Sequence, residues 1–129
     1  MSPYKPEIFV IFLVLAVGAG SALPSLAGDV TVVDTVVTAE GGNSYRFDVT
    51  LEHADEGWDH YADGWEVVGP DGEVLGTRPL AHPHVNEQPF TRSLSGVTIP
   101  EGITTVRIRA NDSVHGKSEL SEEVALPDR

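Results

Sequence analysis

Five histidines, His53, His60, His82, His84 and His115, are the side chains best suited to chemistry in this chain, and no cysteine accompanies them. Neutral imidazole suits copper, zinc and nickel, so without thiolates a metal site here must combine histidine with Asp or Glu. Carboxylates are close at hand in Asp55, Glu56, Asp59, Asp63 and Glu87. The tripeptide His82-Pro83-His84 is the most specific piece. Pro83 fixes its own φ and pushes His82 toward an extended conformation. In a β conformation the two rings fall on one face and reach a single ion, whereas in polyproline II they diverge. The expected metal ligands are His60, His82, His84 and His115, with copper or zinc as the ion.

Two other readings start from the same loops. Glu52, Asp55, Glu56, Asp59, Asp63 and Glu66 crowd one short stretch, and calcium takes six to eight oxygens. Their order and the single Gly57 do not match an EF-hand loop, so calcium stands behind copper or zinc. Trp58, Tyr61 and Trp65 lie in or beside that stretch, and exposed rings next to carboxylates stack on sugars. A carbohydrate-binding or protein-interaction module is therefore the alternative function, with an exported protein or glycan as partner in place of a metal ion.

Catalysis has little support in the residues. Asp112-Ser113-Val114-His115 cannot form a triad, because such near neighbours do not adopt both required geometries. Neither a phosphate-cradling glycine loop nor His-Glu-x-x-His occurs. The chain reads as a binding protein and not as an enzyme.

The elements that position these residues are short and alternating. In Tyr45-Arg46-Phe47-Asp48-Val49-Thr50-Leu51 every second residue is apolar, and Val106-Arg107-Ile108-Arg109-Ala110 repeats the pattern, as half-buried strands do. His53 continues the parity of Leu51, which places it on the core side at the end of its strand. Further strands are expected at Val30 to Thr38, Trp65 to Val68, Glu73 to Arg78, Phe90 to Ile99 and Leu120 to Leu126. Gly69-Pro70-Asp71-Gly72 makes a hairpin of the middle pair. Arg92 shares the parity of Phe90 and needs a carboxylate partner, such as Glu87 or one from the acidic loop. About seven strands in one domain, residues 28–129, predict an all-β fold, an antiparallel two-sheet sandwich.

With that strand count and spacing the chain resembles the immunoglobulin-like or fibronectin type III-like domains of exported bacterial proteins. The resemblance implies an architecture and no activity, and the cysteine pair of antibody domains is absent. The segment from His82 to Arg92 is similar to an uncharacterised family of small exported proteins.

Residues 1–27 read as a secretory signal peptide, with Lys5, an apolar run from Ile8 to Ala19 and the small-residue stretch Ser25-Leu26-Ala27. Gly18, Gly20, Ser21 and Pro24 interrupt the run before it reaches the roughly twenty residues of a membrane span. A periplasmic or secreted protein is expected, held at a membrane only if the leader is retained. The leader contains one basic residue and one acidic residue, Lys5 and Glu7, so the net charge of −12 survives its removal. That field repels nucleic acid and anionic lipid.

Overall fold

The computed structural model describes residues 30–129, so the segment read as a signal peptide lies outside the described residues. The strands are β1 (Thr31–Gly41), β2 (Ser44–Glu52), β3 (Ala62–Val68), β4 (Val74–Pro79), β5 (Phe90–Thr98), β6 (Thr105–Asp112), β7 (Gly116–Lys117) and β8 (Glu122–Ala125). They form a three-stranded sheet in the order β1-β2-β5 and a five-stranded sheet in the order β4-β3-β6-β7, with β8 also on β6. Every pairing is antiparallel. This is the two-sheet sandwich that the alternating segments predict. Among the described residues no helix is long and apolar enough to cross a membrane.

The alternation works because one face of each strand must leave water. Phe47, Val49 and Leu51 of β2 meet Trp65 and Val67 of β3 and Val106, Ile108 and Ala110 of β6 in one core. Each large apolar side chain buried there contributes about 1.5–3 kcal/mol relative to exposure. Trp65 belongs to this core, only 1% exposed, and stands in the middle of β3, which begins three residues earlier than the apolar run suggests.

An eighth strand appears where the sequence shows seven. The two residues of β7 pair with Asn111 and Asp112, while β8 pairs with Thr105 to Ile108 on the same strand. The two are pieces of one interrupted edge, and two residues are too few to carry a period of two. In β5 the alternation also shifts. Tyr45 faces Val97 but Phe47 faces Leu94, so one extra residue is accommodated beside Gly96, whose φ of 70° suits glycine. The bulge returns Val97 to the core.

The β3–β4 hairpin decides where the histidines go. Its turn, with Gly72 at a φ of 90°, keeps β4 in the sheet of β3 and sends the chain back toward the start of β3. There Leu80 N–H donates to the Asp63 carbonyl at 2.9 Å. The loop 80–89 therefore meets the β2–β3 loop 53–61 and the β6–β7 turn 113–115 at one end of the sandwich. Ser113 N–H donates to the Tyr61 carbonyl at 2.9 Å and His84 N–H to Asp55 Oδ2 at 2.7 Å. All five histidines gather at that end.

Candidate metal centre

His53 and Asp112 are inward-facing residues at the ends of strands in opposite sheets, and both are buried. His53 Nε2 lies 2.7 Å from Asp112 Oδ2, and its Nδ1 lies 2.6 Å from Asp55 Oδ1. His60, half-buried on the β2–β3 loop, repeats the arrangement. Its Nε2 is 2.8 Å from the same Asp112 oxygen, and its Nδ1 is 2.7 Å from Glu56 Oε1. The two rings stand edge to face with centroids 4.9 Å apart. His115 stands beside the group, with Nδ1 3.3 Å from Asp112 Oδ2 and its ring centroid 5.0 Å from that of His60.

The other oxygen of Asp112 is held by the turn that follows it. Oδ1 accepts from the backbone N–H groups of Val114 at 2.7 Å and His115 at 3.0 Å. Burial by itself would raise the Asp112 carboxyl, but these N–H donors together with His60 hold it well below the usual carboxylate range. The Glu56 carboxylate, and after it that of Asp112, raises the His60 imidazole above its ordinary value. Asp55, buried, joins three segments. Its Oδ1 accepts from His53 and from Ala62 N–H at 3.0 Å, while Oδ2 accepts from the backbone of His84.

One donor atom from each of His53, His60 and Asp112 lies within 4.8 Å of the others, so the group could hold a metal ion. Ligands about 2.0–2.2 Å from a tetrahedral ion stand about 3.3 Å apart. The present separations of 2.7 and 2.8 Å are hydrogen-bond distances that widen by a few tenths of an ångström around an ion. The outer partners are those a metal site uses, since a ligating imidazole commonly gives its other N–H to a carboxylate. Asp55 and Glu56 occupy those positions.

Of the residues singled out in the sequence, His60 and His115 meet at Asp112, whereas His82 and His84 do not enter that group. The His84 ring stacks on Phe90 with centroids 3.9 Å apart, and Arg92 donates to its Nε2 at 3.0 Å. That contact occupies the Nε2 lone pair and places a fixed cation where an ion would have to sit. Burial, then the Arg92 charge, lowers the His84 imidazole. His82 is exposed, its ring 4.6 Å from that of His84, and its Nδ1 donates to the Pro83 carbonyl at 3.0 Å. Arg92 also reaches Glu87 at 3.3 Å, the partner its parity requires.

The acids of the suggested calcium cage are dispersed. Asp55 and Glu56 serve histidines, Asp63 accepts from Asn111 at 2.5 Å, and Glu66 is bound by Arg109 at 2.6 Å and Lys117 at 3.1 Å. Strand parity puts His53 on the core side without making it a ligand, and Asp112, considered only as part of a triad, is a second ligand candidate that residue type alone does not single out. The signal was present. Asp112 keeps the inward parity of Val106, Ile108 and Ala110, and an inward acid and an inward histidine at strand ends must find partners.

Fold and site together define a β-sandwich with a histidine–carboxylate cluster across the loops of one end. No family model matches the chain, and no solved structure matches it. A protein of Halomicrobium mukohataei named "Putative lipoprotein" is 44% identical over 88 residues, which cover 68% of this chain and 43% of that protein. The chain thus spans less than half the length of that relative.

Proposed function

We propose that the chain is an exported, non-enzymatic binding protein for a transition metal ion, zinc or copper, held by His53, His60 and Asp112 with His115 beside them. One observation carries the reading. Each of the two inner rings faces carboxylate oxygens through both of its nitrogens. A neutral imidazole has a single N–H, so it satisfies one such contact, and the other needs a proton or a metal cation at Nε2. With both Nε2 atoms aimed at one Asp112 oxygen, a single cation serves both. Imidazole nitrogens with one carboxylate favour zinc or copper over calcium.

The relative's name supports export and an envelope location. The sheet order, β1-β2-β5 against β4-β3-β6 with β7 and β8 both paired to β6, supports a fibronectin type III-like reading of the sandwich.

Elemental analysis tests the function on protein expressed with its own leader and purified without chelator or histidine tag. Near one equivalent of zinc or copper is expected. Protein that emerges free of both, and that evolves no heat beyond weak surface binding on titration with either, overturns the reading.

A second reading rests on Trp58, 68% exposed and edge to face with Tyr61 at 5.7 Å on the same loop end. Such a pair is an available stacking platform for a sugar or a partner protein. Tryptophan fluorescence that fails to respond to a panel of polysaccharides removes the glycan form of it.

A further inference from the structure

Three rings approach Asp112 Oδ2, but they are not held alike. Nδ1 of His53 is fixed by Asp55, whose side chain is fully buried, and Nδ1 of His60 by Glu56. Asp112 is fixed by two backbone N–H groups. His115 differs in three respects. Its side chain is 51% exposed, it sits on the turn 113–115, and its Nε2 takes part in none of the hydrogen bonds among the described residues. It stands at 3.3 Å from Asp112 Oδ2, against 2.7 and 2.8 Å for the two inner rings.

Its backbone, by contrast, is anchored. The His115 N–H donates to Asp112 Oδ1 at 3.0 Å, so the ring can rotate about its own χ angles while the turn stays in place. A ligand without an outer partner on a fixed pivot is the one that leaves first, because outer partners are what orient a ligating imidazole and raise its basicity.

Resting on the metal-binding reading above, we infer that His115 is the exchangeable fourth ligand, and that the ion is a cargo passed between donors at this face. The exchange balances without redox chemistry. The bond from His115 to the metal breaks, an incoming nitrogen, oxygen or sulfur donor forms a bond to the metal, and the ion keeps its charge. The released imidazole leaves with its lone pair and turns to solvent. His53, His60 and Asp112 retain the ion while the fourth position changes hands.

The test is transfer of zinc from loaded protein to excess chromogenic chelator in a stopped-flow instrument, comparing wild type, His115→Ala and His60→Ala. Wild type is expected to carry one equivalent. His115→Ala should still carry one, bound about ten- to a hundredfold more weakly, as for loss of a supporting group, and surrendered faster. His60→Ala should carry none. A His115→Ala protein identical to wild type in affinity and transfer rate overturns the inference, and so does one that loses zinc as completely as His60→Ala. His115→Gln, which keeps a polar side chain on the turn, is run beside it so that a folding defect in one variant does not decide the result. Wild type that takes up neither zinc nor copper fails at the earlier step and removes the metal reading itself.

Discussion

His53 Nε2 and Asp112 Oδ2 lie 2.7 Å apart and join the ends of β2 and β6 across the two sheets, with side chains 2% and 1% exposed. A buried pair of this kind resists loss of one partner far more than it adds over an apolar pair. Asp112→Ala leaves His53 and His60 facing no carboxylate at Nε2 and frees two backbone donors. It should cost about 3–5 kcal/mol in urea denaturation of the metal-free protein. The folded carboxyl lies below its unfolded value, so this stability is complete above about pH 3.9 and is lost as pH falls below it.

His60 has the opposite sign. Its folded value is raised by Glu56 and Asp112, so its contribution is complete below the unfolded value of about 6.5 and disappears as pH rises through the folded one. In metal-free protein the urea midpoint of wild type should exceed that of His60→Gln most clearly near pH 5.5. The gap should narrow steadily toward pH 9. A gap that widens with pH contradicts this.

The roles of the two pairs of loop histidines separate cleanly by mutation. His82→Ala with His84→Ala should leave zinc stoichiometry at one, because Arg92 already occupies His84 Nε2 and the pair does not reach Asp112. His53→Ala or His60→Ala should reduce it to none. Calorimetric titration of the variants measures both.

The Glu56 side chain is 69% exposed and reaches His60 at Nδ1, while the backbone bond from Glu56 N–H to the His60 carbonyl survives its replacement, so it tests the outer partner apart from the fold. Glu56→Gln should weaken zinc binding by about tenfold, the lower end for such partners, with thermal melting of the metal-free protein essentially unchanged. An exposed pair adds little stability by itself. Competition against a chelator of known affinity gives the number.

The sandwich was legible because burial of one face writes a period of two into β2 and β6, and because Gly69-Pro70-Asp71-Gly72 is hairpin chemistry. The inward parity of His53 and the need of Arg92 for a carboxylate were legible for the same local reason. The two-residue β7 and the bulge at Gly96 were not, since neither leaves a repeat long enough to detect. The candidate site was half legible. Residue type made His60 and His115 metal-ligand candidates, and it made His82 and His84 candidates equally, because chemistry alone does not say which rings converge. That was decided by the β3–β4 hairpin returning loop 80–89 to the histidine end, by Arg92 reaching His84, and by the packing of two sheets that sets the end of β2 against the end of β6. A ligand set is a relation between residues as much as 59 positions apart, and only the closed core brings His53 to Asp112.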